Sequence, residues 1–134
     1  MDVIIAGSRS INKEEDKTEI VGRAIESTPF DIEKVIHGGA KGVDSIAEEL
    51  SQEHFELKTE IYPAEWEQFG DAAGPKRNRE MAKDADALIA IWDGDSSGTR
   101  NMINEALKHG LEIFVHNFSD DQISRNQTTI TETV

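Results

Sequence analysis

Three short stretches of this sequence carry residue types that hold phosphate. Gly7-Ser8-Arg9 follows Val3-Ile4-Ile5-Ala6, and Gly38-Gly39-Ala40-Lys41-Gly42-Val43-Asp44 follows Val35-Ile36-His37. Asp93-Gly94-Asp95-Ser96-Ser97-Gly98-Thr99 follows Ala87-Leu88-Ile89-Ala90-Ile91. Glycines let a ligand approach the backbone closely. The first amides of a helix lack intrahelical partners and sit at the positive end of its dipole. One such turn says little, but three in a chain of 134 residues point to a site for a phosphorylated ligand. The expected contact set is Gly7, Ser8, Arg9, Gly38, Gly39, Ala40, Lys41, Gly42, Asp44, Arg77, Asn78, Asp93, Ser97, Gly98 and Thr99.

Several of these residues also have plainer readings. The second turn could be no more than a tight strand-to-helix connection, and Asp44 a residue favoured by the helix dipole. Ser97, Gly98 and Thr99 suit helix capping almost as well as ligand binding. Arg77 and Arg79 lie near a helix start, where cations oppose the dipole, so a phosphate or an acidic partner is the expected reason for them. Asp93 and Asp95 beside a phosphate would need a sugar hydroxyl or a cation such as Mg²⁺; solvated loop acids are the simpler reading. His37 ends a strand and is ambiguous. The four histidines have no metal-ligand spacing, so no metal ligand set is expected. Trp66 and Phe69 could stack on a base or simply pack a connecting loop.

The elements that position these turns alternate regularly. Strands are expected at Val3–Ala6, Val35–His37, Leu57–Tyr62, Ala87–Trp92 and Leu111–His116. Helices are expected over Lys13–Ser27, Ser45–Glu53, from Pro75 to about Asp84, and Thr99–His109, the last ended by Gly110. This alternation predicts a single doubly wound, mostly parallel five-stranded α/β sheet, Rossmann-like, with helices on both faces. Ligands of such sheets sit beyond the carboxyl ends of the strands, where all three glycine turns should meet. Residues 1–116 form the expected domain, and 117–134 a polar C-terminal tail or, at Thr128–Thr131, a short edge strand.

Composition narrows the partners. With 27 acidic residues against 14 basic, the net charge of −13 repels polyanions, so long nucleic acid is a disfavoured partner and a small anion a favoured one. Absence of cysteine excludes disulfides and thiolate chemistry. No apolar run approaches eighteen residues and no basic leader precedes one, so a cytoplasmic location without membrane contact is expected. Apolar residues on several helices lead to the expectation of a homodimer.

The motifs together resemble the YspA/cpYpsA-related branch of the SLOG superfamily, Rossmann-like domains that include the LOG phosphoribohydrolases and the DNA-uptake protein DprA. The matching pieces are Gly7-Ser8-Arg9, His37 through Asp44, Pro63-Ala64-Glu65-Trp66, Gly70 through Met81, and Asp93 through Thr99. They run in family order over roughly residues 3 to 116; Glu65 stands where the family favours Asp. The resemblance implies the fold and a nucleotide-like ligand but names no reaction.

LOG hydrolases carry Arg-Lys-x-x-Met and then Gly-Gly-x-Gly-Thr-x-x-Glu. Here Arg77-Asn78-Arg79-Glu80-Met81 keeps the Arg and Met, and Gly98-Thr99 keeps the turn, but Met102 stands in place of the glutamate. Glu105 follows one turn later, ~4.5 Å farther along the helix. No catalytic residue is therefore assigned; Arg77, Glu105 and Asp44 are the candidates. The expected function is binding of a nucleotide or nucleotide-derived ligand, as a sensor or sequestering module. The alternatives are LOG-like N-glycosidic hydrolysis of nucleoside monophosphates and DprA-like single-stranded DNA binding.

Overall fold

Ala87–Trp92 forms a strand, β4, whose first five residues are fully buried. A strand apolar on both faces needs a helical layer on each, and that requirement organises the whole chain. The computed structural model describes residues 1–8, 15–39, 43–53, 55–117 and 127–131. Arg9, Ala40, Lys41 and Gly42, all expected at the ligand site, lie outside the described residues.

β4 pairs in parallel with β1 (Asp2–Gly7) and with β5 (Glu112–Asn117). On its other side β1 pairs with β2 (Lys34–His37), which pairs with β3 (Lys58–Ile61), again in parallel. These are the five parallel strands expected. A sixth, β6 (Gln127–Thr131), pairs antiparallel with β5, so over these residues the chain is an edge strand and not a loose tail. The spatial order is β3-β2-β1-β4-β5-β6.

Helices α1 (Glu15–Ser27) and α2 (Val43–Glu53) cover one face. Ile20, Val21, Ile46 and Leu50 pack there on Val3, Ile5, Val35 and Ile89. Helices α4 (Ala73–Asp84) and α5 (Ser97–Lys108) cover the other, with Met81, Met102, Ile103 and Ala106 against Ile4, Ile36, Leu88 and Ala90. Strand alternation thus sends successive residues of β1 and β4 to opposite cores. Burial of each Ile or Leu contributes roughly 1.5–3 kcal/mol. α3 (Trp66–Phe69) and a 3-10 turn (Gly70–Ala72) lead into α4. Neither was expected, because a single turn shows no hydrophobic period. α5 ends at Gly110, whose φ of 71° suits glycine.

From β1 the chain passes through α1 to β2, and it returns to the opposite side of β1 as β4. The order therefore reverses between β1 and β4, and a crevice opens at their carboxyl ends.

Candidate functional site

All three turns reach this crevice. Gly7, Gly38, Ser96, Gly98 and Thr99 contribute to one cavity of about 120 Å³, whose wall also includes Arg77 and Trp66. Trp66, Asn78, Ser96 and Gly98 line in addition a wider groove of about 640 Å³, so the inner cavity opens outward between α4 and α5.

The turns reach the edge with different chemistry. At the first, Ser8 is fully buried; its amide donates to the Ile91 carbonyl at 3.0 Å, and its hydroxyl accepts from the Asp93 amide at 3.1 Å. Ser8 therefore ties the β1 turn to the β4 turn. Gly7 is glycine for packing: a Cβ there would stand 2.7 Å from Val43 Cβ and 2.8 Å from the Ile91 carbonyl oxygen.

The second turn corrects an expectation. The Gly38 amide, foreseen as a phosphate donor, already donates to the Asp44 carboxylate at 3.1 Å, and the Gly39 amide donates to His37 Nδ1 at 3.1 Å. Asp44 is nearly buried at the start of α2 and lines the cavity, so a carboxylate stands where an anion was expected. Gly39, with φ of 73°, supplies the left-handed residue this compact arrangement needs. His37 is buried, with Nε2 2.6 Å from Glu48 on α2. Since Nδ1 accepts a backbone N–H, the ring proton lies on Nε2 and faces Glu48.

Arg77 lines the cavity but is drawn into the protein. Its guanidinium donates to the Gly38 carbonyl at 2.9 Å, to the Tyr62 carbonyl at 3.4 Å, and to Asn78 Oδ1 at 2.9 Å. A helix-start arginine that opposes the dipole is explained by this use: it binds the carbonyls just past the ends of β2 and β3. Asn78 continues the chain of bonds, donating to Asn101 Oδ1 at 2.8 Å and to the Gly98 carbonyl at 3.4 Å. Both ends of this buried amide are thus engaged, and a network crosses the carboxyl edge from β2 to α5.

The third turn has donors to spare. Asp93 Oδ1 accepts from the Asp95 and Ser96 amides, each at 2.8 Å, which shapes the loop around Gly94 (φ 89°). Ser96 is the N-cap of α5; its hydroxyl accepts from the Thr99 amide at 3.4 Å. Ser97 and Gly98 are exposed in the first helical turn, where backbone amides have no intrahelical acceptor. A Cβ on Gly98 would meet nothing within 4 Å, so space beside it is open.

Trp66, which is 50% exposed, stands at the mouth; its ring would lie 3.3 Å from a Cβ on Gly74. Trp66, Ser96 and Asn101 extend the expected site. The signals for the latter two were the Ser-x-x-Thr cap spacing and the position of Asn101 one turn after Ser97.

The candidate acids separate clearly. Met102 lines the cavity and is buried, so the position of the LOG glutamate faces the site with an apolar side chain. Glu105 is buried away from the cavity wall, 3.7 Å from Arg79 and 3.6 Å from Lys108. As an acid acting in this cavity Glu105 is therefore corrected: its carboxylate is held by cations of α4 and α5. Arg79 finds its acidic partner there. Among the described residues no group of three or more His, Asp or Glu side chains is arranged to hold a metal ion, and no helix is long and apolar enough to cross a membrane.

Comparison with known proteins places the chain. The Gene 61 protein of Mycobacterium phage D29 is 36% identical over 123 residues, spanning 88% of this chain and 96% of that protein. This chain belongs to the family of that phage protein. The uncharacterized SPbeta prophage-derived protein YoqJ of Bacillus subtilis (strain 168) is 44% identical over 41 residues, covering 31% of this chain and 24% of YoqJ. No family model matches the sequence. Among solved structures, DNA processing protein A (DprA) from Streptococcus pneumoniae superposes with a TM-score of 0.70 at 19% identity. The match covers 92% of this chain but 53% of DprA, so the chain spans about half the length of that protein. Likeness at that identity is one of fold, and it agrees with the Rossmann-like fold expected from the sequence.

Proposed function

We propose that this protein binds a nucleotide or nucleotide-derived phosphorylated ligand, with its phosphate on the first turn of α5 and its base against Trp66. One observation carries the reading. An exposed tryptophan lines the same groove as the uncommitted Ser97 and Gly98 amides, and the volume of about 640 Å³ between them suits a ligand of nucleotide size. Gly7, Arg77, Asn78, Asp44 and Asp93 shape the wall and turns behind this ligand. The undescribed residues Arg9 and Lys41 are the proposed source of additional positive charge. Placement in the YspA/cpYpsA-related branch belongs to the same proposal.

Binding without hydrolysis is favoured, because Met102 removes the carboxylate that a LOG-type mechanism would aim into the cavity. Calorimetric titration with AMP, NAD-derived nucleotides and cyclic nucleotides tests this. Trp66→Ala should weaken binding by about 10- to 100-fold, the value of one base–aromatic stack. Release of free base from AMP would instead favour the hydrolase.

A second reading is single-stranded DNA binding, favoured by the fold shared with DprA. In that reading the groove holds one nucleotide of a longer strand. Affinity rising steadily with oligonucleotide length, well beyond that of the mononucleotide, distinguishes it.

A further inference from the structure

Strand β3 ends the sheet, and its outer edge has no neighbour among the described residues. Lys58, Glu60 and Ile61 are exposed, Ile61 to 51%. Its backbone phase follows from one bond. The Tyr62 amide donates to the His37 carbonyl at 2.8 Å, and with Ile61 opposite His37 the inward-facing residues of β3 are the alternate ones, 58, 60 and 62. Thr59 and Ile61 therefore direct their own amides and carbonyls outward, away from β2.

The sequence of this edge is self-complementary when read against itself in the antiparallel direction. In Leu57-Lys58-Thr59-Glu60-Ile61, a two-fold axis at Thr59 sets Lys58 opposite Glu60 of the second copy, and Leu57 opposite Ile61. Charge meets opposite charge and apolar meets apolar, on alternate faces. The backbone admits this register: Thr59, set opposite its own copy, exchanges hydrogen bonds through its outward-facing amide and carbonyl.

We propose that residues 58–60 pair antiparallel with the same segment of a second copy, flanked by Leu57 against Ile61, joining two sheets into one across a two-fold axis at Thr59; the Leu57 amide itself donates to the Ser51 carbonyl at 2.7 Å and stays out of the ladder. The symmetric arrangement makes one patch serve both sides, as closed dimers do. It also covers the exposed edge that would otherwise template less specific pairing. Glu60 is held at 2.6 Å by Lys34 and by that bond is kept on the face where Lys58 of the second copy would arrive.

Charge reversal tests the register. Wild-type protein in multi-angle light scattering should show a monomer–dimer equilibrium between micromolar and millimolar concentration. Lys58→Glu, at an exposed position, should weaken the dimer on the order of tenfold or more by placing like charges opposite each other twice. Glu60→Lys should do the same. An equimolar mixture of the two variants restores both pairs, so native mass spectrometry should show heterodimer exceeding either homodimer. A wild-type monomer throughout the range would overturn the proposal. So would a dimer unchanged by Lys58→Glu, or single variants weakened without rescue on mixing.

Discussion

Gly38 and Arg77 should prove energetically inseparable. The three atoms nearest a Cβ built on Gly38 all belong to the Arg77 guanidinium, with Cζ at 2.6 Å, and Gly38 is not among the positive-φ glycines. Alanine at 38 is therefore opposed by the arginine and not by its own backbone. In the wild type we expect Gly38→Ala to cost about 1–3 kcal/mol, as overpacking does. Arg77→Ala removes the bonds to Gly38, Tyr62 and Asn78. At roughly 1.5–3 kcal/mol for a bond to a charged group, discounted because Arg77 is only half-buried, this sums to about 2–4 kcal/mol. In the Arg77→Ala background, Gly38→Ala should cost about zero, or stabilise by roughly 0.4–1 kcal/mol through the unfolded chain. Urea denaturation of the four proteins then yields a coupling of about 1–4 kcal/mol. Additive costs would refute the assignment of Arg77 as the tie between the ends of β2 and β3.

Other outcomes follow from the same edge. Gly7→Ala should destabilise by about 1–3 kcal/mol through Val43 and the Ile91 carbonyl, whereas Gly98→Ala should stabilise α5 by up to about 1 kcal/mol yet weaken nucleotide binding; thermal melts and titration check the pair. Burial first, then the bond from its hydroxyl to Asp84 at 2.6 Å, holds the Tyr62 phenol above its ordinary pKa of 10.0. The folded state then keeps this proton after the unfolded chain has lost it, so stability should fall as pH rises above 10.0, and Tyr62→Phe should flatten that fall in denaturant titrations. Single-stranded DNA should bind weakly at physiological salt, with a salt slope equivalent to about one to three phosphates; a steep slope at submicromolar affinity would establish the DNA-binding reading.

Much of the architecture was legible because it rests on periodicity. The apolar run Ala87–Trp92 and the spacing of Ile20, Val21, Ala24 and Ile25 could serve only a strand buried on both faces and a one-sided helix. β6 was less legible, since Thr128–Thr131 pairs through its backbone and carries no apolar alternation. In the site, the meeting of the three turns followed from topology alone. What sequence could not show was which donors remain open. Asp44 and Arg77 were read as ligand contacts from their types, yet one accepts from the Gly38 amide and the other donates to the Gly38 carbonyl. Such use depends on side-chain direction across 39 residues of chain, which no local spacing encodes. The same limit hid that Glu105 turns to Arg79 while Met102 faces the cavity.

Ligand binding at the start of α5 is tested most directly by an amide NMR titration of the intact protein with AMP, NAD-derived and cyclic nucleotides. We expect saturable shifts at the Ser97 and Gly98 amides together with the Trp66 indole N–H, at one common ligand concentration. Absence of saturable shifts at those three groups with every nucleotide, or saturation confined to other parts of the molecule, would contradict it.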